Sequence, residues 1–194
     1  YVGGIIGYVG APGTYTMSDL ENTANISGAD YVGGVFGGVV NQMSNYSDFT
    51  INLSQLKNSG DITGSGNYVG GIAGYLTAES NYSITLCSAD LTNTGAIKGK
   101  QYVGGLLGYG YCDSTNSYLQ DSSNASAITA EAYVGAIAGQ LSNIAVNNCQ
   151  NTGSTLTATG YATADGIKYA YVGGFVGRGY LANNCTNDVE IKYS

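Results

Sequence analysis

Apolar residues in this chain recur at intervals of roughly 30 to 40 residues and never sustain the 3.6-residue period of an amphipathic helix. The clearest recurrence is an octapeptide opening Tyr-Val-Gly, at Tyr1 (YVGGIIGY), Tyr31 (YVGGVFGG), Tyr68 (YVGGIAGY), Tyr102 (YVGGLLGY), Tyr133 (YVGAIAGQ) and Tyr171 (YVGGFVGR). Its second position makes one apolar column, Val2, Val32, Val69, Val103, Val134 and Val172. Its fifth makes another, Ile5, Val35, Ile72, Leu106, Ile137 and Phe175. Each of the two or three Gly per octapeptide would cost about 1 kcal/mol inside a helix, so short β-segments fit better. Val2 and Ile5 are three residues apart, which strict strand alternation would place on opposite faces. A Gly pair between them can turn the chain. The octapeptide therefore predicts a strand, a corner and a second short strand, with both apolar residues inward.

A second block precedes each new octapeptide: NTANISG from Asn22, NSGDITG from Asn58, NTGAIKG from Asn93, NASAITA from Asn124, NTGSTLT from Asn151 and NDVEIKY from Asn187. Its Asn leads the next Tyr by 9, 10, 9 and 9 residues, then by 20 in the fifth copy. The Asn block and the Tyr block thus form one rigid unit, and the stretch from Tyr to Asn absorbs the variation in length as surface loop. The exception, roughly 157–170, is expected to protrude from the fifth unit. Ile26, Ile62, Ile97, Ile128 and Ile191 lie four residues after their Asn, and Leu156 lies five after, giving a third apolar column.

These periods predict an all-β fold, a single parallel β-solenoid (β-helix) of about six rungs occupying 1–194 as one repeat domain. At a strand spacing of about 4.8 Å the rod would be about 30 Å long. Equivalent residues would then stack along the axis. Asn22, Asn58, Asn93, Asn124, Asn151 and Asn187 suit a turn, and their common register also fits a ladder of amides that donate and accept from rung to rung. Tyr1, Tyr31, Tyr68, Tyr102, Tyr133 and Tyr171 are expected to stack ring on ring. Two residues before each Asn, Leu20, Leu56, Leu91, Ser122, Cys149 and Cys185 should face inward. Cys149 and Cys185 fall one rung apart, within reach of a disulfide; a pair of buried free thiols fits equally well. Pairing of Cys87 with Cys112, in the variable stretches of neighbouring rungs, is less determined. Tyr1 opens a unit with no preceding Asn block, and the last block stops at Ser194. The reading expected from this is a window of a longer array, or a subunit stacked end to end.

Charge and composition narrow the chemistry. Thirteen acidic against six basic residues, net −7, argue against a nucleic-acid partner, which needs clustered Lys and Arg. No apolar stretch approaches the length of a membrane span. With no His and no C-x-x-C spacing, the usual zinc sites are excluded. No G-x-G-x-x-G or G-x-x-x-x-G-K-[ST] element opens a helix, and the Gly recur in every copy, so phosphate cradling is not indicated. The calcium-binding G-G-x-G-x-D nonapeptide is missing as well. Asp19, Asp90 and Asp121 share a column with Gln55, Asn148 and Asn184, which reads as a solvated acidic edge ahead of a cation site between Asp90 and Asp121. Thr23, Thr94 and Thr152 share a column with Ser59, Ala125 and Asp188, too irregular for an ice-binding face. No cofactor and no metal is expected.

The pattern GG-(hydrophobic)-x-G within YVGGIAGY, linked to NTGAIKG, resembles the GLUG-type repeat of large bacterial surface and secreted proteins, and the resemblance covers the whole chain. It implies a β-helical, extracellular repeat region of the kind seen in adhesin-like proteins and beside the catalytic part of some immunoglobulin A-cleaving metallopeptidases. With no His this chain cannot carry the H-E-x-x-H motif of such a peptidase.

The function expected is that of a non-catalytic structural or adhesive module, a stalk, surface fibre or filament subunit at the cell surface. Its partners would be further rungs, from the same chain or from end-to-end self-association, with no membrane span. A glycan-binding surface using Tyr75 and Tyr109, which share the eighth octapeptide position, is an alternative. A polysaccharide-active β-helix enzyme is a second, although no rung gathers several charged residues and Arg178 is the sole Arg. Glycosylation sequons stand at Asn25, Asn45, Asn52, Asn81, Asn124 and Asn184; a ladder would bury Asn124 and keep it unmodified.

Overall fold

In the computed structural model, residues 1–10, 13–41, 49–78, 84–153, 155–164, 167–179 and 182–194 are described. Asn45 and Asn81 lie outside them. The chain is all strand, wound as a parallel β-solenoid. Five sheets run along the axis, each with six strands contributed in chain order by successive rungs. In the third rung these strands are Val69–Gly70, Ala73–Ala78, Ile84–Ala89, Thr92–Asn93 and Ile97–Lys98. No helix long and apolar enough to cross a membrane occurs among the described residues.

The register is the one that the sequence columns require. Val2, Val32, Val69, Val103, Val134 and Val172 are successive partners in the first sheet. Ile26, Ile62, Ile97, Ile128, Leu156 and Ile191 are partners in the fifth, so Leu156 rejoins the column despite its extra residue. Side chains alternate within the longer strands: Phe49, Ile51 and Leu53 are buried while Thr50, Asn52 and Ser54 point outward. A slip of one residue would turn the apolar set into solvent, which fixes the pairing.

The expected corner lies between Gly33 and Phe36, and both flanking apolar residues, Val32 and Val35, are fully buried. The glycines do not adopt left-handed backbone there; among the described residues the only Gly with such a φ is Gly13, at 132°. They are required by crowding. A β-carbon on Gly70 would stand 2.7 Å from both the Gly108 nitrogen and the Leu106 oxygen of the next rung. The left-handed position belongs to tyrosine: Tyr31, Tyr68, Tyr102 and Tyr133 have φ of 55°, 64°, 56° and 55°.

Two apolar cores fill the cross-section. The larger lies inside the second and third sheets and includes Val35, Phe36, Ile51, Leu56 and Leu76. The smaller lies between the first and fifth sheets and includes Val32, Ile62, Val69 and Ile97. Val32 and Val35 thus flank the corner in different cores. The insertion near 157–170 forms a two-stranded antiparallel hairpin, Ala162–Ala164 with Ile167–Tyr169, standing off the fifth rung.

Candidate functional site

Two side-chain columns run the length of the solenoid, one inside and one on its surface. The inner column is the Asn series. Each strand of the fourth sheet carries one outward residue and then the Asn, as in Lys57 exposed and Asn58 buried. Nδ2 of Asn22 donates to Oδ1 of Asn58 at 2.7 Å, Asn58 to Asn93 at 2.7 Å, Asn93 to Asn124 at 2.9 Å, Asn124 to Asn151 at 3.1 Å and Asn151 to Asn187 at 2.7 Å. The second proton of most of these amides caps the carbonyl two residues on, at Ala24, Gly60, Gly95, Ser126 and Val189. One amide therefore closes the turn within its rung and ties that rung to the next. Ser126, not singled out in the sequence, joins the ladder by accepting from Asn93 and donating to Asn124. With Asn58, Asn93, Asn124 and Asn151 fully buried, the bonds among these four are made where a missing partner would be costly.

The outer column is the tyrosines that open each octapeptide. Ring centroids are 4.7 Å apart for Tyr1 and Tyr31, 5.1 Å for Tyr31 and Tyr68, 4.9 Å for Tyr68 and Tyr102, 4.3 Å for Tyr102 and Tyr133, and 5.1 Å for Tyr133 and Tyr171. The central pairs are almost coplanar in orientation, at 1° and 5°. Tyr75 and Tyr109 form a second short stack at 5.2 Å and stand steeply against Tyr31, Tyr68 and Tyr102. Burial, then the neighbouring phenols, push the Tyr68 hydroxyl up to about 12. Tyr109 is raised by the same causes, and Tyr133 by burial and then its hydrogen bond with Tyr169. Tyr169 enters the cluster from the hairpin, a contact that column spacing alone could not disclose.

Tyr75 and Tyr109 are half-buried, stack on each other and meet the main stack in T-shaped contacts.

The remaining columns are accounted for by backbone and burial. Asp19, Gln55, Asp90, Asp121, Asn148 and Asn184 all have left-handed φ, between 49° and 57°, at one exposed corner. Asp and Asn tolerate that conformation. Asp121 accepts from Asn148 at 3.1 Å. No group of three or more His, Cys, Asp or Glu able to hold a metal occurs among the described residues. Thr23, Ser59, Thr94, Ala125, Thr152 and Asp188 lie exposed at the turn after the ladder.

The cysteines are all free, so Cys149 and Cys185 are not bonded. Each sulfur is engaged in its own rung: Cys149 Sγ donates to Asn147 O at 3.3 Å and Cys185 Sγ to Asn183 O at 3.2 Å, as Ser122 Oγ donates to Gln120 O. Cys185 Sγ also accepts the Cys149 N–H. Burial pushes the Cys149 and Cys112 thiols up to about 12, which keeps them protonated and poorly nucleophilic at neutral pH. Cys87 is half-exposed beside Tyr118. Among the sequons, Asn25 and Asn184 are exposed, Asn52 is half-buried, and Asn124 is fully buried in the ladder.

The fold and these two columns define a parallel β-solenoid repeat protein. Compared with protein-family models, curated proteins and solved structures, the chain matches none.

Proposed function

We propose that this chain is a non-catalytic structural or adhesive module of a cell-surface or secreted protein, acting as a stiff rod. The observation that carries this reading is the unbroken amide ladder, which links all six rungs through buried hydrogen bonds. The tyrosine strip repeats the linkage on the surface. The left-handed backbone under four of its members costs roughly 1 to 2 kcal/mol each, so the stack persists against a local penalty. The GLUG-type likeness of YVGGIAGY and NTGAIKG supports placement outside the cell.

The partner along the axis is a further rung, supplied by the same chain or by a second copy. Ile5 and Ile191 on the outer rungs are 41% and 45% exposed, whereas Val35 and Ile72 in the first of these columns and Ile97 in the second are buried. Electron microscopy of native material with a label against this chain tests the reading. Rods of one uniform cross-section on the cell surface are expected; compact particles confined to the cell interior would contradict it.

A further inference from the structure

Among the described residues the hairpin is the one antiparallel element of the solenoid, and it packs onto the tyrosine strip. Its inner face carries Ala162 and Tyr169, which pack with Ala132 and Tyr133 and leave Tyr133 only 2% exposed. Its other face carries Thr163 and Lys168, both exposed and paired across the two strands. Lys168 Nζ sits 4.2 Å from the centroid of the Tyr161 ring. Between the hairpin and the sixth rung lies a cleft of about 640 Å³, lined by Tyr161, Lys168, Tyr169, Ala170, Val172 and Tyr193.

The chemistry of this lining is unlike that of the strip. Tyr161 and Tyr193 are 42% and 64% exposed. The cleft is within the size range of small-ligand sites. Lys168 is the only charged residue lining it among the described residues, in a chain of net charge −7. Lys168 forms no ion pair among the described residues and rests on an aromatic ring, while nearby Lys192 is neutralised by Glu190 at 2.8 Å. The ligand that fits is flat, apolar on one face, rich in hydroxyls at its edge and negatively charged.

We propose that this cleft binds an acidic sugar, a pyranose whose C–H face lies on a tyrosine ring and whose carboxylate meets the Lys168 ammonium. The site gives the rod a local recognition element on its fifth rung. It goes beyond the structural reading and does not depend on it.

The test titrates the chain with short oligomers of galacturonic acid and, separately, of galactose, following heat or tyrosine fluorescence, with Lys168→Met and Tyr161→Ala beside the unaltered chain. A charge-assisted hydrogen bond is worth enough that the acidic oligomer should bind about tenfold tighter than the neutral one. Lys168→Met should erase that difference and leave weak binding of both, and Tyr161→Ala should weaken both together. Both residues are exposed, so unfolding midpoints should stay unchanged and folding is separated from binding. Absence of saturable binding to either oligomer, or binding indifferent to both substitutions, overturns the assignment. Binding of peptides in place of either sugar overturns it as well. None of these failures bears on the rod.

Discussion

Gly71 packs directly on Asn93: a β-carbon added to Gly71 would stand 2.6 Å from Asn93 Cγ. Gly105 and Asn124 are related in the same way, at 2.6 Å. The contact closes each rung across its variable loop, between the two apolar cores, and places a polar ladder at the waist of the section. The Gly-rich octapeptide and the Asn block are thus two halves of one device, and its energetic weight is testable residue by residue.

Asn93→Ala removes a group that donates to Asn124, Gly95 and Ser126 and accepts from Asn58. It leaves buried donors and acceptors unpaired on both sides, a loss of about 3 kcal/mol or more. Asn187→Ala, in the half-buried last member, should cost about 1 kcal/mol. Chemical unfolding of the two variants measures the difference, and equal losses would show that the ladder contributes little.

Adjacent glycines should differ in tolerance. Gly70→Ala drives a β-carbon into the backbone of Ala73, Leu106 and Gly108, and a loss of about 3 kcal/mol or more is expected. Gly71→Ala should cost less, because the fifth rung already accommodates Ala136 at the equivalent position, fully buried. Thermal midpoints of the two proteins read this ordering directly.

Tyr102 sets stacking against backbone strain. Its ring is in contact with those of Tyr68, Tyr109 and Tyr133, each such pair being worth about 0.5 to 1.5 kcal/mol. Its φ of 56° penalises any side chain. Tyr102→Ala loses the stack and keeps the strain; Tyr102→Gly loses the stack and relieves the strain. The Gly variant should therefore be the more stable of the two by about 1 kcal/mol, as measured by denaturant unfolding.

Alkaline pH should weaken the fold. Tyr68 moves from an ordinary 10.0 to about 12, and Cys112 and Cys149 from 9.0 to about 12. In each case the folded chain holds a proton that the unfolded chain releases at lower pH. The stabilisation from these groups is therefore full below about pH 9 and falls away from there to about pH 12. Unfolding midpoints across that range, with phenolate absorbance followed in parallel, should show a continuous decline and a set of phenols that titrate late.

Much of this architecture was legible because every rung repeats the same constraint. Six Val and six Asn at fixed offsets specify the sheet register, and the extra 11 or so residues before Tyr171 specify a protrusion. The glycines were legible as a corner but not in their physical role. A Gly pair after Val suggests that the chain turns there, whereas the structure uses Gly33 and Gly70 for backbone proximity and gives the left-handed residue to Tyr. That choice depends on contacts between rungs about 30 residues apart in sequence, and local propensity does not encode them. Column spacing put Cys149 beside Cys185 but could not tell that each sulfur is satisfied by a carbonyl of its own rung. The cleft was hidden for a similar reason: Tyr161, Lys168 and Tyr193 share no column, and only the hairpin brings them together.

Hydrogen exchange of the asparagine side-chain amides, resolved by NMR, reads whether a continuous buried amide ladder holds the solenoid. The Nδ2 protons of Asn58, Asn93, Asn124 and Asn151 should exchange as slowly as core backbone amides, while those of exposed Asn25 exchange freely. Exchange of the ladder protons at the rate of Asn25 would contradict the account.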